Sequence, residues 1–257
     1  MEKKILIFDL DDTIVLCNHL YLNAKNKFLN IMKNEFDLGD EEVKKIENEF
    51  KNLDILRVKV FGSGKFRYFE SMLLIYFSMC IKYSKKFSTR IELKIKSFTL
   101  LNNALIDVDI FPESIQILKQ LKNEGYHLFC FTAGDEDWQM FKIKKFKLKD
   151  YFHKIYIENF KTDLEYQKIT MEINGSKEIN YSDFIMIGNS FKSDILPSNS
   201  LGMYSIYLQR LEELDIHDTY KDAYYKINKD KLTHPENNYI IHNLNEIFDV
   251  LKIIEDK

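Results

Sequence analysis

Four apolar residues, Ile5 to Phe8, run directly into the carboxylates Asp9, Asp11 and Asp12 and then Thr13, in the string ILIFDLDDTIV. A short β-branched and aromatic run without polar alternation reads as a strand buried on both faces. Carboxylates at the end of such a strand are expensive to bury unless a cation or good donors meet them. Two readings fit this placement. One is a catalytic aspartate cluster that binds Mg²⁺ at the C-terminal edge of a parallel sheet. The other is a strand that ends in a solvated turn with an Asp cap.

The elements that must position these residues fall into two textures. From about Asn18 to Asp107 the chain reads helical, with apolar residues at three- and four-residue spacing through 19–36, 41–61, 66–83 and 91–106. The Gly62-Ser63-Gly64 turn divides that stretch into two pairs, and short joints suggest a small bundle. From Val108 onward strands alternate with helices of about ten residues, the signature of βαβ units and a parallel sheet. Pro112 opens a helix that runs to Lys122 with Gly125 beyond its end. Strands are expected at 126–132, 154–158, 183–188 and 204–208, with helices at 136–146, 164–173 and 193–202 between them. A last strand near 239–244 and a closing helix complete the pattern, and residues 209–238 give no clear signal.

The expected fold is therefore α/β: a Rossmann-like parallel sheet flanked by helices, with a smaller all-helical cap domain. Residues 1–17 and 108–257 form the sheet domain, and residues 18–107 are inserted after its first strand. Only two crossings join these parts, so a rotation hinged at 14–20 and 104–111 is expected. Ligands of open α/β sheets bind at the carboxyl ends of the strands. Three ends carry chemistry: DLDDT from Asp9, TAGDED from Thr132 and GNSFKSD from Gly188.

Composition bounds the function. The 257 residues carry a formal net charge of −3, with 30% charged and 45% hydrophobic residues, so nothing argues for a nucleic-acid surface. The longest apolar stretch, 72–81, falls short of the ~20 residues that a membrane span needs. Only four apolar residues precede Asp9, too few for a secretory signal. Cys17, Cys80 and Cys130 sit far apart with no zinc-like pairing, which fits a reducing cytoplasm. Cys130 reads as core, as does Cys17 despite its nearness to the aspartates.

Taken in order, these strand-end motifs resemble those of the haloacid dehalogenase superfamily of phosphotransferases: DxDxT after the first strand, Thr after the second, Lys beyond the third and an acidic loop after the fourth. The resemblance spans roughly 1–17 and 108–208. It implies a Mg²⁺-dependent phosphatase acting on a small phosphorylated metabolite through an aspartyl-phosphate. Asp9 would be the nucleophile, splitting one hard displacement into two. Asp11 would protonate the leaving alkoxide and then deprotonate water. An acid two places after the nucleophile favours phosphate esters over the dehalogenase branch, which lacks it. Asp12 reads as a capping or solvated residue.

Thr132, with the backbone N–H groups of Ala133 and Gly134, would hold phosphoryl oxygens, although a Thr there also suits a helix cap. Lys161 would balance the charge of Asp9 and phosphate, with Lys154 and Lys168 as rivals. The metal set implied is Asp9, the Asp11 carbonyl, Asn189 and Asp194. Asn189 stands where relatives carry an Asp, so the site has one less negative charge; Asn189 and Ser190 also suit a helix cap. The helical insertion matches the cap of the superfamily in position. Its Arg57, Lys65, Arg67, Tyr68 and Phe69 are available to a ligand, although such stripes are usually core or solvated surface. Two alternatives stay open: a sugar phosphomutase with the same site, and a binding or regulatory protein with a weakened site, which Asn189 alone favours.

Overall fold

The structure, a computed structural model, describes residues 3–62, 64–101, 108–175, 178–210 and 225–257. Its main sheet has six parallel strands in the order β5-β4-β1-β6-β7-β8. In chain order these are β1 (Ile5–Phe8), β4 (His127–Ala133), β5 (Lys154–Glu158), β6 (Phe184–Gly188), β7 (Tyr204–Leu208) and β8 (Asn238–Ile241). Two-residue strands β2 (Val15–Leu16) and β3 (Asp109–Ile110) make a separate sheet that periodicity does not foresee. Leu6, Ile7 and Phe8 are all buried, which is why this strand shows no polar alternation.

Contacts divide the chain into two units. The first comprises Met1–Leu16, Ile110–Ala133 and Lys142–Lys257. Its helices include α5 (Ser114–Asn123), α7 (Asp163–Asn174), the short α8 (Leu196–Ser200) and α9 (Ile247–Glu255). α9 buries Ile247, Val250, Leu251 and Ile254, one face at helical spacing. Tyr166 and Ile169 of α7 pack with Ile7, Phe131, Phe184 and Met186 of the sheet. Helix α5 begins at Ser114, two residues later than Pro112 suggests. The reason is a tertiary contact: Phe111 N–H and Ser114 Oγ both donate to the Ile14 carbonyl, at 3.1 and 3.0 Å, and hold Pro112 in a turn.

The second unit comprises Cys17–Asp109 and Gly134–Phe141. It contains α1 (Asn18–Phe36), α2 (Asp40–Phe61), α3 (Lys65–Lys82) and α4 (Thr89–Lys96). After β4, helix α6 (Glu136–Lys145) begins in this unit and ends in the first. Phe28, Met32, Phe50, Met72, Tyr76 and Ile95 form the core of the bundle. The helix expected over 91–106 stops at Lys96 and widens into a π turn over Ser97–Leu101. There Ser97 Oγ and Thr99 Oγ1 each donate to a carbonyl one turn back, at 2.7 Å, a bonding that bends helices. Residues 102–107, including half of the expected second hinge, lie outside the described residues, as do Ser63 and the Lys65 side chain.

Gly188 closes β6 for a steric reason. A Cβ there would lie 2.3 Å from Asp194 Oδ2 and 2.7 Å from Asp194 Cβ, so swinging the carboxylate away cannot relieve the clash. Gly188→Ala is therefore expected to lower stability by about 1–3 kcal/mol, as overpacking does, seen as a lower urea midpoint. An unchanged midpoint would show that the loop after β6 yields freely.

Candidate active site

Parallel strands bring their carboxyl ends to one edge. The chain leaves β1 for β4 and β5 on one side and crosses to β6 on the other, so the order reverses at β1. Crevices at such points are where ligands bind. Asp9 follows β1 directly, and its N–H still donates to the Ile187 carbonyl at 2.9 Å, extending the ladder with β6. Phe8 is level with Cys130 on β4, which sets Phe131 level with Asp9 and Thr132 one residue further.

Asp9 is only 6% exposed. Its Oδ1 accepts from Lys161 Nζ, and its Oδ2 accepts from Thr13 Oγ1 at 3.0 Å. The same ammonium donates to Asp194 Oδ1 at 2.7 Å, while Ser190 N–H donates to Asp194 Oδ2 at 2.8 Å. One buried cation thus serves two buried carboxylates. Burial pushes the Asp9 carboxyl up to about 7; Lys161 opposes that rise and Asp194 adds to it. Burial works against the charge on Lys161, but Asp194 and Asp9 outweigh it and hold the ammonium above the ordinary lysine value.

Local sequence explains why Lys161 arrives here. It precedes Thr162, the N-cap of α7, whose N–H donates to Glu165 Oε2 at 3.0 Å in a capping box. The rivals are occupied on the surface, Lys154 with Glu172 and Lys168 with Glu158. Asp11 is partly exposed, and its Oδ1 accepts from Lys142 Nζ. Asp12 has φ 58° and its N–H donates to the Val15 carbonyl at 2.7 Å, which makes it a turn residue.

Two capping alternatives are settled. Asp135, whose Oδ1 accepts from Trp138 N–H at 3.0 Å, caps α6, so buried Thr132 does not. Ser190, whose Oγ accepts from Ser193 N–H at 3.2 Å, caps the π turn Phe191–Ile195, so half-buried Asn189 does not. Ala133 ends β4. Gly134, at φ 144°, belongs to the second unit. Within that unit Arg67 pairs with Asp54, Arg57 with Glu70, and buried Tyr68 donates to the Tyr21 carbonyl at 3.0 Å. Phe69 packs on the helical core.

Two participants escape the sequence reading. Thr13 is part of the first motif but received no role, although it holds Asp9. Lys142 looks like its neighbours Lys144 and Lys145, yet it is fully buried while both of those are exposed. Its signal is position: with Trp138, Gln139 and Ile143 it falls on the one buried face of α6.

The donor set suits a hard divalent ion. Asp9, Asp194, the Asp11 carbonyl and Asn189 offer oxygen, and each carboxylate oxygen of Asp9 and Asp194 accepts from a donor on one of its two lone pairs. Among the described residues no cluster of three or more His, Cys, Asp or Glu forms a ready cage. Mg²⁺ takes one or two carboxylates and completes its shell with water and phosphate, and Asp9 and Asp194 are two such carboxylates.

The sheet order and the carboxylates at its switch point define a Rossmann-like α/β protein with an acidic crevice at the carboxyl ends of its strands. The sequence model of the haloacid dehalogenase-like hydrolases matches residues 6–208, and the chain belongs to that family. Over 223 residues it is 26% identical to a glyceraldehyde 3-phosphate phosphatase of Pyrococcus furiosus, covering 83% of this chain and 84% of that one. A protein of the same name from Methanopyrus kandleri is 23% identical over 214 residues, 80% of this chain and 84% of the relative. In fold the chain is similar to a haloacid dehalogenase-like hydrolase from Xanthomonas campestris, with TM-score 0.67 and 22% identity, over 80% of this chain and 83% of that one.

Removing the shared cation should expose the strain of the cluster. Lys161→Met leaves two buried carboxylates facing each other, a loss of about 3–5 kcal/mol. Asp9 binds its proton more tightly folded than unfolded, so its neutral form favours the fold at low pH and that support fades as pH rises toward 7. The loss in urea unfolding without divalent ions is therefore expected to be full at pH 8 and clearly smaller at pH 5. Equal losses at both pH values would mean that Lys161 acts by packing alone.

Proposed function

We propose that the protein is a Mg²⁺-dependent phosphatase that hydrolyses a small phosphorylated metabolite through an aspartyl-phosphate. The observation that carries this reading is Asp9, buried at the end of β1 and braced between Lys161 and Thr13, with a second acid two residues on. The relatives named glyceraldehyde 3-phosphate phosphatase support a triose phosphate as the first substrate to try.

In this mechanism an Asp9 carboxylate oxygen attacks phosphorus and the ester oxygen leaves, taking a proton from Asp11. Asp11 then accepts a proton from water, whose oxygen attacks the aspartyl-phosphate and restores Asp9 with release of phosphate. Lys161 offsets charge on Asp9 and the phosphoryl group as a fixed point charge. Thr132 and the N–H groups of Ala133 and Gly134 hold phosphoryl oxygens. Asp9, Asp194, the Asp11 carbonyl and Asn189 would hold Mg²⁺, which when bound screens the dianion from the incoming carboxylate.

The helical unit stands in the chain where a cap is inserted after the first strand, and we assign it substrate selection. Among the described residues no helix is long and apolar enough to cross a membrane. The three free, buried cysteines support a reducing cytoplasm as the location.

Phosphate release from a panel of phosphorylated metabolites with Mg²⁺ tests the reading, and no release from any of them would overturn it. Interconversion of sugar phosphates without release would make the protein a mutase. Asp9→Asn is expected to abolish turnover. Asp11→Asn is expected to lower kcat/KM for an alkyl phosphate by about 10²–10⁴-fold, the usual worth of a general acid, and that for p-nitrophenyl phosphate far less. That ratio reports steps up to departure of the leaving group, and an aryloxide needs no proton; equal losses would remove Asp11 as the acid. Asn189→Asp adds a carboxylate to the proposed metal set and should lower the Mg²⁺ concentration for half-maximal rate. An unchanged Mg²⁺ titration would take Asn189 out of the set.

A further inference from the structure

Lys142 is the one lysine of α6 that is fully buried, at 0% exposure, and its ammonium meets Asp11 Oδ1. A desolvated lysine is costly unless an anion faces it. This one faces the side chain to which the phosphatase reading gives both proton transfers. It is separate from Lys161, which serves Asp9 and Asp194.

The backbone around Asp11 is already held. Ile14 N–H and Val15 N–H both donate to the Leu10 carbonyl, at 3.0 and 2.9 Å, and Asp12 N–H donates to the Val15 carbonyl at 2.7 Å. The Asp11 side chain, which is 30% exposed, is met by Lys142 at Oδ1. Resting on the phosphatase reading, we propose that Lys142 is a positioning residue that fixes the orientation of the Asp11 carboxyl for proton transfer. An ammonium can donate but never accept. The oxygen bonded to it, Oδ1, is therefore the poorer place for a proton, and the transferable proton rides on Oδ2. In the first step the Oδ2–H bond breaks as the leaving oxygen gains the proton. In the second the same oxygen regains a proton from the attacking water. The lysine keeps its own protons throughout.

The test compares kcat/KM of the full-length protein on an alkyl phosphate that it turns over and on p-nitrophenyl phosphate. Wild type, Asp11→Asn, Lys142→Met, Lys142→Arg and the Asp11→Asn/Lys142→Met double variant are measured side by side. Lys142→Met is expected to lose about 10–100-fold on the alkyl ester, the scale of a misplaced catalytic group, with KM little changed and the aryl ester nearly spared. Lys142→Arg keeps a donor and should recover part of the alkyl rate. In the Asp11→Asn background Lys142→Met should add nothing, because positioning has no object once the acid is gone. Equal losses on both esters, or losses that multiply in the double variant, would overturn the proposal and leave Lys142 a structural cation. Should Lys142→Met fail to fold, Lys142→Arg carries the test, since its altered geometry must show the same alkyl-over-aryl loss. The arms separate the two ideas. A split for Asp11→Asn without one for Lys142 variants sinks only this inference, whereas no split for Asp11→Asn, or no hydrolysis by wild type, sinks both.

Discussion

The site depends on one constraint: two carboxylates, Asp9 and Asp194, are buried at the end of a sheet and share one ammonium. Burying either acid without a cation would be costly, and one lysine between two of them cannot fully neutralise both. Much of the surrounding structure serves that arrangement. The capping box at Thr162 sets where α7 starts and therefore where Lys161 stands. Gly188 leaves room for Asp194 to lie against the end of β6. Ser190 and Thr13 take up a further oxygen on each acid. Phe131 lies 5.3 Å from the Lys161 ammonium, and Tyr166 packs edge-on to that ring, so the pair sits against an aromatic wall. Low polarity on that side strengthens the ion pairs and raises the penalty for losing one.

Charge counting around β1 gives the cluster its chemical direction. Asp9, Asp11 and Asp194 face Lys161 and Lys142, and buried Cys130 feels the field of Asp9, Lys161, Asp11 and Lys142 together. Three carboxylates against two ammoniums leave one negative charge in excess. A phosphate dianion would be repelled by that set, and a divalent cation reverses the balance. An all-oxygen donor set with a net negative charge is what the proposed Mg²⁺-assisted phosphoryl chemistry requires.

The fold was largely readable because its signals are periodic. A doubly buried strand, amphipathic helices and alternating strands repeat over enough residues to override local noise. Lys161 was legible through the family resemblance, as a lysine just past the third strand at a helix start with Thr162 after it, and Asp9 because an apolar run stops at it. Features without a period escaped: the two-residue strands β2 and β3, the π turns at Ser97–Leu101 and Phe191–Ile195, and the late start of α5. Each is decided by a few hydrogen bonds, between distant segments for β2, β3 and α5 and within a single turn for the π turns. Lys142 escaped for a related reason. Three lysines in KIKK have one composition and two fates, and only the rotation of α6 about its axis separates the buried one from its neighbours.

The first motif shows how far geometry divides identical side chains. Residues two apart on an extended chain share a face, so Asp9 and Asp11 point the same way while Leu10 between them is buried in the core. The strand then ends in a tight turn, and Asp12 takes the left-handed conformation that Asp tolerates better than most residues. Asp12 therefore leaves the shared face and serves the backbone. Of the two that remain, Asp9 lies under the ladder with β6 and is nearly dry, whereas Asp11 stands at the open rim, tied to its own lysine. A nucleophile needs a fixed, desolvated carboxylate; a proton shuttle needs one that meets both the leaving group and water. In the proposed roles, the pleat, the turn and the two lysines give two neighbouring acids those two different environments.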